Sequence, residues 1–375
     1  MKKTLLLFLM IACFILTGFR DSSDPKIRVA ILLDASSVKI SATGRFKIFA
    51  PGKLEAVVTG DEDSIYQIQP GLFGLKMDGP EEYGDILEIK PLENTFIRVN
   101  NRTYRGEIEV RKTNDALLVI NEVDLEEYLY GVMKHEISPA WPLEAVKAQA
   151  VAARSFALNK KLKNIGKPYD LCATITSQVY GGLSGEDPRS NEAIDETRGE
   201  ILTYEGRPIA AYYHATCGGE TEDVENVWGG RLPYLKGVRC RYCKDSPHYE
   251  WEEKLSLLEI SNALGHKGIS EVESIEIYKR SDTGRIVKLV VEDEFGKHII
   301  SGNQFRMALG PNLIRSTLFK IKEKRGRVEF KGKGWGHGVG MCQWGTKGMA
   351  ERDFSYKEIL KHYYSNAEIR KMDNR

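Results

Sequence analysis

Apolar and polar residues alternate in short runs through the first third of the chain, and the period lengthens to that of a helix only near residue 124. Ile27 to Leu33 is a short apolar run, and Val38-Lys39-Ile40-Ser41-Ala42 alternates strictly. Gly44, Pro51-Gly52, Gly60, Pro70-Gly71 and Gly79-Pro80 punctuate the stretch beyond them. Period-two runs bounded by such breakers predict strands over 26–120. Phe96 to Val99 and Tyr104 to Val110 flank an Asn100-Asn101 turn, and Leu117 to Ile120 is a strand of the fully buried type. Asp124 is placed to cap a short helix from Leu125 to Val132.

The clearest helix is predicted over 143–163. Pro142 suits its first turn, and six alanines between Ala145 and Ala157 give high propensity. Val146, Ala150, Ala153 and Ala157 make one apolar stripe of small side chains, against which another backbone can approach closely. Lys160, Lys161 and Lys163 complement the negative end of the dipole, and Gly166 ends the helix. Ile201 to Tyr204 and Ala210 to His214 read as strands, and Ser256 to Leu264 as a helix closed by Gly265. A hairpin is expected over Val272 to Asp293 around Asp282-Thr283-Gly284, and a short helix from Gly302 to Gly310. Ser355 with Glu358 forms a capping-box pattern for the last helix, whose stripe is Ile359, Leu360 and Tyr363.

Length narrows the organisation. A chain of 375 residues holds two domains, or one large domain with insertions. It is 42% hydrophobic and 29% charged with a net charge of +1. Subtracting Lys2, Lys3 and Arg20 leaves about −2 for the part after residue 20. Neither value provides the basic surface that a nucleic-acid partner requires. Residues 1–20 read as an export segment: Lys2 and Lys3, an apolar run from Leu5 to Leu16, then polar residues from Asp21 to Asp24. Met10-Ile11-Ala12-Cys13 also fits a lipoprotein cleavage box with Cys13 lipidated. A cleaved signal and an uncleaved anchor are the other readings. All three put the working part outside the cytoplasm, with membrane contact only through this segment.

Three constellations carry chemistry. Glu136 is a lone carboxylate beside Ile137, Pro139 and Trp141, just ahead of the long helix. Apolar neighbours raise a carboxyl pKa towards neutrality, as a general acid needs; the bland alternative is a surface carboxylate favoured by a helix start. Gly334-Trp335-Gly336-His337-Gly338-Val339-Gly340 lacks the Lys-Ser/Thr ending of a phosphate loop. Its Trp335, with Trp344 beyond, suits a sugar groove, where aromatic faces stack on pyranose rings. The glycines could equally mark a tight crossing of strands, with His337 a satisfied buried histidine. Cys240 and Cys243 have the two-residue gap of a zinc knuckle, and Cys217 beside Gly218-Gly219 offers a third thiolate. His214, His248 or Cys342 could be the fourth ligand. A disulfide or free thiols compete with this structural-zinc reading.

The residues Tyr128 to Val132, Glu136, Trp141-Pro142, Glu144-Ala145, Lys147 to Arg154 and Gly336 to Met341 together resemble the SpoIID/LytB family of bacterial cell walls. Tyr104-Arg105-Gly106 and Val227-Trp228-Gly229 are also similar to its pattern. The resemblance runs from about residue 95 to the end. It implies an α+β chain: a strand-rich region over 26–94, then a SpoIID-type domain over 95–375 with its long helix at the groove and an α/β insertion at about 250–325. It implies a lytic transglycosylase acting on peptidoglycan glycan strands stripped of stem peptides, with Glu136 as the catalytic acid and no cofactor for the chemistry. A cell-wall amidase is a further partner that the resemblance suggests. The groove is expected to hold Trp141, Arg154, Tyr180, Trp335, His337 and Gln343. Some members bind zinc around a His-Cys-Gln-Val-Tyr segment. Here Thr176-Ser177-Gln178-Val179-Tyr180 stands in its place, so a metal held by Cys217, Cys240 and Cys243 would be a different site.

Overall fold

The alternation of the first third becomes two facing sheets. In Val38–Ala42 the residues Val38, Ile40 and Ala42 point inward while Lys39 is exposed. The computed structural model describes residues 25–324 and 326–372, so the export segment and Cys13 lie outside the described residues. One sheet has seven strands in the order Leu171–Cys172, Lys26–Ala35, Ala116–Asp124, Glu107–Thr113, Ile86–Pro91, Phe46–Phe49 and Val58–Gly60. The other has five: Leu75–Met77, Tyr66–Pro70, Val38–Ala42, Ile97–Val99 and Arg102–Tyr104. Ile27, Val29, Val110 and Val119 of the first sheet share a core with Ile40, Ile68 and Ile97 of the second. The larger sheet interleaves strands from both sides of residue 95.

The single strand expected over Tyr104 to Val110 is two. The chain leaves the small sheet after Tyr104 and enters the large one at Glu107. Gly106 makes the passage: its φ is 72° and any Cβ would collide with the Glu122 carbonyl oxygen, so only glycine fits. Ala210 and Ala211, also read as strand, instead form tight turns, with Ala211 N–H on Ile209 O at 3.0 Å and Tyr212 N–H on Ala210 O at 2.8 Å. Only Tyr213–His214 pairs, and it does so in parallel with Met341–Cys342.

The first helix spans Leu125–Glu136, a turn longer than expected. The long helix spans Leu143–Lys163, with Pro142 just ahead of it. It is apolar on two faces, not one. Ala145, Val146, Ala150, Ala153 and Ala157 pack on the sheet core. Ala148, Val151 and Ala152 pack on a second core built from Cys217, Cys240, Cys243, Cys342, Met341 and Tyr363. A helix held between two cores needs small apolar residues all round, which explains its alanine content.

Arg154 lies inside this arrangement, fully buried. Its Nε and Nη2 donate to the two carboxylate oxygens of Glu126 at 2.8 and 2.7 Å, and Nη1 donates to Glu200 O at 2.9 Å. The guanidinium pins the long helix to the first helix and to the chain entering the Glu200–Tyr204 strand. This corrects the expectation that Arg154 lines a groove. Arg154→Ala would strand Glu126 as a buried, unpaired charge, at a cost of about 3–5 kcal/mol. Denaturant unfolding should register that loss, while the folded fraction keeps its ligand affinity. Preserved stability with weakened ligand binding would instead make Arg154 a contact residue.

Residues 250–333 form a third unit with its own core, including Trp251, Ile260, Leu289, Phe305, Phe319 and Phe330. Two three-stranded antiparallel sheets carry it. Capping boxes start its two helices, at Ser256 with Glu259 and at Ser301 with Gln304. Both ends of the unit, Glu250–Ser256 and Arg327–Lys333, pair with each other, so the insertion leaves and rejoins the chain at one place.

Candidate functional site

Glu136 is the last residue of the first helix. There the helix dipole is negative, so it opposes the carboxylate rather than favouring it, the reverse of what a helix start would do. The carboxyl turns into a cleft. Val179 N–H donates to its Oε1 at 3.0 Å, and Tyr213 lines the same cleft. Tyr213 is itself held: Gln178 Nε2 donates to its oxygen at 3.0 Å, and Tyr128 O–H donates to Gln178 Oε1 at 3.0 Å. Burial raises the Glu136 pKa, and the Val179 bond offsets only part of that rise. A carboxyl whose pKa is raised and which faces a cleft is suited to donate a proton.

Cavities flank it on both sides. One of about 550 Å³ is lined by Phe156, Tyr212, Tyr213, Trp228, Trp335 and His337, among others. The other, of about 440 Å³, is lined by Pro139, Trp141, His248, Trp335 and Trp344, among others. Glu136, His135, Ala215, Trp335 and Gln343 border both. Among the described residues lining either cavity, Glu136 is the only acid. Trp228 is 44% exposed and its ring lies 4.8 Å from Tyr212 and 4.9 Å from His337. On the other side Trp141 and Trp344 meet edge to face at 5.1 Å, with the Lys347 ammonium over the Trp344 ring. A larger cavity, about 860 Å³, lies in the 250–333 unit. Its acids Glu250 and Glu252 are tied to Lys333 and Lys331 at 3.3 and 3.2 Å, so it offers no free proton donor.

Of the expected groove residues, Trp141, Trp335, His337 and Gln343 border the cavities. His337 does so with its ring alone. Its Nδ1 accepts from Val339 N–H at 3.1 Å and Nε2 donates to Tyr213 O at 2.9 Å, which fixes the neutral tautomer, and burial pulls its pKa down to about 3. Gln343 donates from Nε2 to the backbone carbonyl of Glu136 at 2.9 Å and to Gln149 Oε1 at 3.2 Å, holding the helix end that carries the acid. Tyr180 does not belong to the groove. It is 2% exposed, stacked among Tyr104 and Tyr128, with its hydroxyl donating to Asn121 Oδ1 at 2.7 Å. The stretch that carries it reaches the site through Ile175 to Val179 instead.

Sequence reasoning missed Tyr213, Gln178, Tyr212, Phe156 and Trp228 as site residues. Tyr212 and Tyr213 were hidden in what reads as a buried strand. Trp228 did leave a signal: a tryptophan ahead of Gly229-Gly230 falls in a loop, where a large aromatic has no core to enter.

The sulfurs of Cys217, Cys240, Cys243 and Cys342 all lie within 4.8 Å of one another and all four residues are buried. Cys342, one of three candidates, is thus the fourth member; His214 and His248 are not. No pair is bonded: Cys217 and Cys243 sulfurs are 3.5 Å apart. Four zinc–sulfur bonds of about 2.3 Å in a tetrahedron separate the sulfurs by about 3.8 Å, so the set has room for such an ion. Backbone N–H groups point at the sulfurs, Cys217 N and Gly345 N at Cys342 Sγ (3.2 and 3.3 Å) and Gly219 N at Cys217 Sγ (3.4 Å), as thiolate ligands require. Hydrogen bonding from the other three thiols holds Cys240 well below the usual thiol range.

Known proteins share much of this chain. The family model described as stage II sporulation protein matches residues 113–204, the span holding Glu136 and the long helix. A model for a domain of unknown function matches residues 223–340. An uncharacterized protein of Brachyspira hyodysenteriae is 36% identical over 346 residues, covering 92% of both chains. Stage II sporulation protein D of Bacillus amyloliquefaciens is 34% identical over 270 residues, covering 68% of this chain and 76% of that one. The amidase enhancer of Bacillus subtilis is 28% identical over 365 residues, covering 80% of this chain and 50% of its own length.

Proposed function

We propose that this chain, which belongs to the stage II sporulation protein D family, is a peptidoglycan lytic transglycosylase that cuts glycan strands outside the cytoplasm with Glu136 as its one acid and base. The observation that carries this reading is a carboxyl of raised pKa standing alone between two aromatic-lined cavities. A hydrolase of sugars ordinarily needs a second carboxylate to attack or to activate water. Glu144 is bound to Lys147 and to Tyr356 N, and Asp124 starts the first helix; neither borders the cleft. A lytic transglycosylase manages with one.

In this reading the two cavities hold sugars on either side of the bond. Glu136 passes its proton to the glycosidic oxygen between N-acetylmuramic acid and N-acetylglucosamine, and that C–O bond breaks. The substrate's own acetamide steadies the positive charge at the anomeric carbon. The Glu136 carboxylate then removes the proton of the muramic C6 hydroxyl, whose oxygen closes on the anomeric carbon to give a 1,6-anhydro ring. The acid is regenerated and no water is consumed. The Val179 N–H keeps the carboxyl aimed through both steps, and Tyr213, held by Gln178, lines the cleft beside it. The four cysteines are read as a structural zinc site, which would fix the Gly334–Gly340 wall of the cleft and take no part in the reaction.

The test is digestion of purified, peptide-free glycan strands followed by mass spectrometry. Anhydro-muramic ends support the reading; ends heavier by one water would make the enzyme a hydrolase. Glycan retained but uncut would favour a non-catalytic, wall-binding role that enhances a partner amidase. A second check concerns the sugar-facing rings. Trp228→Ala removes an exposed aromatic platform worth about 1 kcal/mol, so glycan affinity should fall about five- to tenfold in fluorescence titration. Unchanged affinity would move the strand away from that cavity.

A further inference from the structure

We infer that Arg285 is the buried counter-ion of a metal tetrathiolate at Cys217, Cys240, Cys243 and Cys342, and that through it the 250–333 unit holds the metal site and the glycine-rich wall of the cleft as one piece. The inference rests on the reading of the four cysteines as a metal site.

Arg285 lies at the start of the Ile286–Asp293 strand of that unit and is 2% exposed. Its Nη2 donates to the carbonyls of Cys217 and, at 3.1 Å, of Glu220. Nε and Nη1 have no partner among the described residues. The buried carboxylate of Glu222 is already committed: it accepts from Asp223 N, the Asn226 amide and the hydroxyls of Ser281 and Thr283. A second buried arginine, Arg306, donates from Nε to the Arg315 carbonyl and also holds no carboxylate. Carbonyl oxygens are dipoles and leave a full charge uncompensated; a guanidinium buried that way costs several kcal/mol. A buried guanidinium with two unpartnered nitrogens calls for more negative charge nearby.

A metal tetrathiolate is the state in which the four cysteines supply most of it. Four thiols carry no charge, and two disulfides carry none. Four thiolates around a divalent ion carry four negative charges against two positive, a net −2. The Arg285 side chain also touches the cleft wall. Gly338 has φ 85°, and a Cβ there would stand 2.8 Å from the Arg285 guanidinium carbon. Gly338 follows His337, whose ring borders the larger of the two cavities beside Glu136. The guanidinium therefore sits between the loop bearing Cys217 and the loop bearing His337.

The experiment uses the full chain and cobalt(II) as the probe, with affinity measured by competition against a chelator. Wild-type protein should give the intense visible and near-ultraviolet bands of a four-sulfur cobalt site; their absence would end the metal reading, and this inference with it. Arg285→Gln keeps a donor for the two carbonyls and removes the charge. Arg285→Lys keeps the charge and loses the fork. The expected result is an unchanged four-sulfur spectrum in both variants, with cobalt bound about 10–100-fold more weakly by the Gln variant and within about threefold of wild type by the Lys variant. Equal affinity in the Gln variant and wild type, or equal weakening in both variants, would overturn the role of charge while leaving the metal site standing.

Discussion

Glu136→Gln should produce folded protein that binds glycan strands and releases no anhydro-muramic ends, with turnover down about 10²–10⁴-fold. The substitution is close to isosteric, and the amide oxygen still accepts from Val179 N–H, so the change isolates the proton. If glycan turnover persists in the variant, the single-acid mechanism is wrong. The pH response comes from the same side chain. Its folded pKa is raised, chiefly by burial. The protonated acid therefore survives to higher pH than an exposed glutamate would allow, and turnover falls as pH climbs through the raised pKa. Stability moves in the same direction. A carboxyl whose folded pKa lies above its unfolded value stabilises the fold below the unfolded pKa of about 4.3, and that stabilisation is lost as pH rises through the folded pKa. The Gln variant has no such loss. Its melting temperature should match wild type in acid and exceed it increasingly towards alkaline pH.

On the zinc reading of the four cysteines, removing the metal should have the largest effect on stability. Stripping zinc with a strong chelator, or replacing Cys342 by Ser, is expected to lower the melting temperature by about 10 °C or more. Metal loss leaves four buried thiols within 4.8 Å of one another in the second core. Cys342 also caps the Gln343–Ala350 helix through Gly345 N, and Gln343 in turn holds the carbonyl of Glu136. Activity should decline along with stability. A disulfide would answer differently: reductant, and not chelator, would lower the transition.

Local chemistry was readable from the chain and distant pairing was not. Ser355 with Glu358 needs only three residues of separation, and the box forms. The 143–163 helix starts and stops where its proline and lysines put it. Arg154 was misjudged because its partner, Glu126, lies on another helix 28 residues earlier, and nothing local marks that carboxylate as buried. Tyr180 failed for the same reason, since Asn121 and Tyr104 reach it from different sheets. The fourth cysteine was one of three options until the parallel pairing of Tyr213–His214 with Met341–Cys342 brought it alongside Cys217. Glu136 was singled out from its apolar neighbours, but its place at a helix end was not, because the first helix runs one turn past Val132.

The long helix has no wet side from Ala145 to Leu158 apart from Lys147. Such a segment cannot drift freely: a bulkier residue tolerated by the strands on one flank still changes the angle at which the thiol-rich flank is presented. The acid's backbone and the cysteine layer are then registered to each other by a single rod of small side chains, and any lineage that enlarges one flank must reshape the other in step.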